Sequence, residues 1–167
     1  MAMNTWLQLV SEAEIKSLKA NPASINELDK PGKETFSTYF PCCINYFLLG
    51  DAYPNHKNPL GGMLFGFSYV NTNTLEGGNF GVVKPDDVKK IVLASTKIDY
   101  KKLAKKIEEA DPDELEEEEV DDWEVLTDDG DETPEEIAKI LISEIKQLIA
   151  FYKYAEKKQL GVVMYTT

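Results

Sequence analysis

His56 is the one histidine in the chain, so any Ser-His-Asp or Cys-His arrangement would have to use it. It stands in a polar stretch with Tyr53, Asn55, Lys57 and Asn58, and no nearby serine or cysteine is marked as its nucleophile. A solvated or loop-bracing imidazole is the expectation. Cys42 and Cys43 are adjacent. A disulfide between neighbours is strained, and two neighbouring thiols cannot tie distant elements together. They read as buried small apolar side chains in a reducing compartment, and with one distant histidine they lack the ligand spacing of a zinc site. Gly61-Gly62 and Gly77-Gly78 read as turns, because no Gly-Lys-Ser/Thr follows either pair. Asp128, Asp129, Gly130 and Asp131 lack the alternating ligands and closing Glu of a calcium loop. No metal or other cofactor is expected. Carboxylates are abundant, but an acid–base pair needs a concave, partly dry setting that drives its two pKa values apart. A continuous charged run is normally solvated. The residue types therefore predict a protein that is not an enzyme.

The carboxylates are also unevenly placed. Of 30 Asp and Glu, 16 lie between Glu108 and Glu132 with no Lys among them, which leaves 14 acids against 18 lysines elsewhere. The net charge of −12 thus belongs to one segment, and the remainder carries a surplus of four positive charges. Every basic residue is Lys. Lysine is a point charge, whereas bidentate clamping of phosphates and base edges is arginine chemistry, so nucleic acid is not an expected partner. Val120, Trp123, Val125 and Leu126 interrupt the acidic run, which is read at about 108–132 as a solvated, partly disordered insertion. Trp123 needs a surface, and two are open: the chain's own lysines 101, 102, 105 and 106, or a basic partner.

The elements that would position these groups follow from the hydrophobic pattern. Met3 to Val10 alternates as a strand, with Met3, Thr5, Leu7 and Leu9 on one face. Ser11 and Glu14 form a capping box for a helix ending near Asn21-Pro22. A second helix is expected from Glu34 to Leu49, with Pro41 kinking it or marking its true start and Gly50 ending it. Gly62 to Val70 reads as a largely buried strand and Phe80 to Val83 as a short one. Pro85-Asp86-Asp87 opens a helix carrying Val88, Ile91 and Val92 inward, and Tyr100 to Ile107 continues helically. Thr133-Pro134-Glu135-Glu136 is the clearest helix start in the chain. That helix runs to about Lys158, and Leu160 to Tyr165 closes the chain as a strand. The fold class is α+β, a mixed α/β sandwich with a small sheet packed by helices, in one domain over 1–167. No apolar run approaches the roughly 20 residues that span a bilayer, and the N-terminus has no basic n-region or apolar h-region. A cytoplasmic protein with no membrane partner is the expectation.

Three stretches carry a family resemblance. Leu28-Asp29-Lys30 precedes an apolar helix ending Tyr46-Phe47-Leu48-Leu49-Gly50; Asn58-Pro59-Leu60 follows with Gly61-Gly62; then comes Phe80 through Ile91. In that order the chain resembles the YfbM-like bacterial family, a domain of unknown function, and the late helix with Phe151-Tyr152 and the closing strand fit the same layout. The resemblance implies a compact helix-and-sheet sandwich and carries over no catalytic residues. Three departures stand out. Asn45-Tyr46 occupy the place of a histidine in the apolar helix, Lys84 replaces a Ser or Thr cap, and the acidic segment is richer in carboxylates.

The functional expectation is a small acidic, non-catalytic binding protein, of the immunity type that inhibits a basic protein or toxin. Glu116, Glu117, Glu118, Glu119, Asp121, Asp122 and Trp123 would form its docking surface, with the charge steering association and the indole supplying buried contact. The alternative is a small-molecule-binding or enzymatic domain with a pocket built from Tyr46, Tyr53, His56 and Asn58.

Overall fold

The two ends of the chain lie side by side. In the computed structural model, which describes residues 4–75, 78–128 and 130–167, β1 (Thr5–Val10) pairs antiparallel with β5 (Gly161–Thr166) along its whole length, from Thr5 opposite Thr166 to Val10 opposite Gly161. β2 (Thr35–Thr38) flanks β1, while β4 (Asn79–Val83) and β3 (Ser68–Asn71) extend the sheet beyond β5. The order is β2-β1-β5-β4-β3, antiparallel throughout. Met3, Gly77 and Asp129, invoked above for the strand start, a turn and the calcium-loop test, lie outside the described residues.

Alternation along the strands sends side chains to two separate cores. Leu7, Leu9, Val162 and Met164 face the larger one, built with α2 (Pro41–Leu49), α3 (Pro85–Ser95), α4 (Tyr100–Glu108) and α7 (Pro134–Lys158). Val10, Phe80, Val82 and Val163 face the smaller one, closed by Ile15 and Leu18 of α1 (Glu12–Ala20) and by Ile25 from the 3-10 turn at Pro22–Glu27. The expected α+β sandwich is what forms. Its spine is α7, whose 25 residues span about 38 Å and pack on α3 and α4. Tyr152 in that helix is fully buried and donates its phenol to the Met63 carbonyl at 2.6 Å. Both capping boxes form as expected, Ser11 with Glu14 and Thr133 with Glu136.

Three expectations are corrected. Residues 35–40 are not helical: Thr35–Thr38 is strand β2, with Phe36 opposite Leu7 and its ring 6.0 Å from that of Phe151. Pro41 marks the true start of α2, where its missing N–H costs nothing. Gly62 to Val70 is not one strand. A 3-10 turn at Pro59–Gly62 and a tight turn precede β3, and Gly66 lies at φ +80° with its backbone against β4; a Cβ there would sit 2.6 Å from the Val82 nitrogen. The third correction concerns the acidic segment. It folds as α5 (Pro112–Glu117) and α6 (Trp123–Thr127), and Leu115, Val120 and Leu126 are buried in the main core. Three apolar side chains spaced among the acids anchor it there, so it is not a solvated insertion.

Candidate functional site

The acidic segment is fastened by the N-terminus of α2. The residue preceding that helix, Phe40, has no side chain that accepts a hydrogen bond, and Pro41 has no N–H. Its first free donors are therefore the amides of Cys42 and Cys43. Asp122 reaches them from 80 positions along the chain: Cys42 N donates to one carboxylate oxygen at 2.6 Å and Cys43 N to the other at 2.8 Å. It is a cap supplied by tertiary contact, placed where the helix dipole favours negative charge. Burial nonetheless raises the Asp122 pKa, against the lowering effect of these hydrogen bonds.

α5 is held in turn by a left-handed C-terminal cap. Glu119 lies at φ 56°, Val120 N donates to Leu115 O at 2.9 Å and Glu119 N to Glu116 O at 3.1 Å. Val120 and Leu115, which this geometry brings together, are both buried. Two tyrosines add outer ties: the Tyr53 phenol donates to Glu119 at 2.7 Å, and the Tyr46 phenol to Glu114 at 3.4 Å. The bond to Glu119 pushes the Tyr53 phenol up to about 12. Burial, with Glu114 second, raises that of Tyr46.

Between α5, α6, the C-terminal end of α4 and the start of α7 lies a cleft of about 760 Å³. Glu108, Asp113, Glu116, Asp121, Asp122, Glu124 and Glu132 line it with no lysine among them, and Trp123, Leu115, Val120 and Ile137 supply apolar wall. One Glu132 carboxylate oxygen is buried there with no hydrogen-bond partner among the described residues. Trp123 is half-buried, its ring 5.8 Å from that of Phe47. Among the described residues no lysine lies over the Trp123 ring; Lys106 lies over the rings of Tyr46 and Phe47 instead.

Cys42 borders the cleft and is a poor nucleophile. Burial, followed by the Asp122 charge, pushes its thiol up to about 12 and that of Cys43 higher still, so the reactive thiolate is scarce at neutral pH. Among the described residues no three His, Cys, Asp or Glu side chains converge as a metal ion requires. What the cleft offers is distributed negative charge beside an aromatic face, which suits an organic cation.

Of the predicted docking residues, Glu116, Asp121, Asp122 and Trp123 line the cleft, whereas Glu117, Glu118 and Glu119 lie outside its lining. Asp122 serves the helix cap. The cleft also includes Glu108, Asp113, Glu124 and Glu132, which proximity in sequence did not single out. The four residues of the alternative pocket have separate tasks. Tyr46 and Tyr53 tie down the acidic segment. Asn58 accepts from Leu60 N at 3.0 Å and borders a groove whose lining includes neither tyrosine nor His56. His56 is exposed, its ring 6.3 Å from Phe67 and 6.1 Å from Tyr69. Asn45 donates to the carbonyls of Asp51 and Tyr53 at 2.8 and 2.7 Å and so shapes the loop after α2.

Residues 1–165 match the family model described as Domain of unknown function (DUF1877). The chain belongs to that family. Its fold is similar to that of the crystal structure of a protein of unknown function, YfbM from Escherichia coli. The TM-score is 0.69 at 12% identity, covering 98% of this chain and 99% of that one. At that identity the likeness of this DUF1877 member to YfbM is one of fold. No curated protein matches the chain. Among the described residues no helix is long and apolar enough to cross a membrane.

Proposed function

We propose that this DUF1877 member is a non-catalytic binding protein whose acidic cleft takes a basic segment of a partner protein, in the manner of an immunity-type inhibitor covering a basic site. The observation that carries this reading is the cleft wall itself, in which every charged side chain is a carboxylate and an indole lies beside them. Such a surface attracts cations over a screening length of about 8–10 Å, and Trp123 gives the bound side chain an aromatic face to stack on. The absence of an activated nucleophile at Cys42 and the structural duty of Asp122 agree with binding without turnover.

The test is fluorescence anisotropy with a labelled Lys/Arg decapeptide and the full-length protein. The combined substitution Glu116→Gln, Asp121→Asn and Glu124→Gln is expected to weaken binding by about tenfold or more. Neutralising Glu12 and Asp86, which lie outside the cleft, is expected to leave it unchanged. Trp123→Phe keeps an aromatic ring against Phe47 and is expected to cost only a few-fold. Equal loss from the cleft and control substitutions would reduce the interaction to net charge and overturn the reading.

A further inference from the structure

The acidic cleft has no lysine in its lining, whereas six of the 18 lysines line a second concavity that also borders α4. An open groove of about 1090 Å³ runs between the loop at 57–60, the end of α2, the exit of α3 and the length of α4. Six lysines line it, Lys57, Lys90, Lys97, Lys102, Lys105 and Lys106, against only Asp99 and Glu109. Lys90 is paired with Asp87 and Lys105 loosely with Glu109. Lys106 donates to the Phe47 carbonyl. Lys57, Lys97 and Lys102 are exposed and make no ion pair among the described residues. The groove also holds Leu93, which at 68% exposure is the most exposed large hydrophobic side chain described.

We infer that this groove is a second binding site, for a short acidic peptide segment of a partner protein that places one apolar side chain on Leu93. The inference goes beyond the cleft and does not depend on it. Charge complementarity fixes the sign of the occupant. The spread of the lysines fixes its shape: Lys90 to Lys97 extends about 10 Å along α3 and its exit, and Lys102 and Lys105 stand on the facing helix. Two such rows suit three or four extended residues at roughly 3.3 Å each better than a single anionic headgroup. The rest of the molecule limits its length. Beyond Glu109 the surface turns to carboxylates, so a long polyanion or an anionic bilayer meets repulsion outside the groove, and without arginine no bidentate phosphate contact compensates.

The experiment is anisotropy with a fluorescein-labelled hexapeptide of Glu and Asp carrying one central Leu, added to the full-length protein at low and high salt. Saturable binding is expected, weakened by salt. It should be about tenfold weaker in Lys97→Glu with Lys102→Glu, and about tenfold weaker in Leu93→Asn. It should be unchanged in Lys16→Glu with Lys19→Glu, two exposed positions on α1 across the sheet. All these positions are exposed, so the variants keep the fold, which thermal melts verify. Equal binding by both charge-reversal variants overturns the proposal. So does binding of a single-stranded oligonucleotide or of phosphatidylglycerol vesicles without the peptide. A salt-sensitive dimer abolished by Lys97→Glu with Lys102→Glu also overturns it, because it would identify a second copy's acidic helix as the occupant.

Discussion

Asp122 is the residue on which the site depends. Its two oxygens satisfy the first two free amides of α2, and among the described residues no other side chain caps the start of that helix. Replacing it by Ala leaves two amides unpaired in a buried setting, while relieving the cost of a buried charge. The expected net loss is about 2 kcal/mol, or roughly 4–8 °C in Tm. Asp122→Asn, which keeps one acceptor oxygen, is expected to lose about half of that in urea denaturation. A null result for Asp122→Ala would mean that water replaces the carboxylate and that the acidic segment is held by its apolar residues alone. The sequence contains a hint of this contact. A Phe-Pro helix start carries no acceptor of its own and needs one from elsewhere. The source, 80 residues on among 16 acids, was not legible, because nothing local distinguishes Asp122 from Asp121.

At the scale of the element, α5 is a six-residue helix of a length that has little stability alone. It exists because Leu115 and Val120 pack into the core and Glu119 turns left-handed to bring them together. That conformation costs a non-glycine residue roughly 1 kcal/mol. Glu119→Gly is expected to stabilise the protein by about 0.5–1 kcal/mol despite the loss of the exposed Tyr53 hydrogen bond, read as a higher urea midpoint. A lower midpoint would show that the tyrosine tie outweighs the backbone relief. The same contrast explains the misread elements. Phe36 and Phe40 have helical spacing with Phe47, yet Thr35–Thr38 is drawn into the sheet by pairing with β1. The apolar run Met63-Leu64-Phe65 suits a strand, yet the close approach of Gly66 to β4 makes it a turn.

For the whole molecule, pH dependence includes two opposed contributions, from Glu14 and Asp122. Burial raises Glu14, but the Lys30 ion pair and the Ser11 hydrogen bonds outweigh it, and the net shift is downward. The native state then holds fewer protons than the unfolded chain, so this stabilisation is present above the unfolded value near 4.5 and is lost as pH falls through the folded one. Asp122 shifts upward. In the window above 3.8 the native state holds more protons, and stability falls as pH rises through the folded value. The stability advantage of wild type over Asp122→Asn is therefore expected to narrow as pH rises from 4 to 7, and the acid limb of Lys30→Ala to be shallower than that of wild type. Denaturation midpoints across this range check both. An advantage that widens with pH would place the Asp122 shift downward.

The sequence by itself determined the α+β class, the capping boxes of α1 and α7, the start of α3 and the closing strand. It determined as well that the excess negative charge lies in one segment. These follow from periodicity, cap chemistry and composition, which act over a few residues. Tertiary structure decided that the acidic segment is part of the core, that Trp123 rests on Phe47, and that seven acids between Glu108 and Glu132 line one cleft while six lysines between Lys57 and Lys106 line a separate groove. Those placements depend on how α2, α4 and α7 meet over the sheet. Contacts between residues 80 positions apart leave no periodic trace in the chain that makes them.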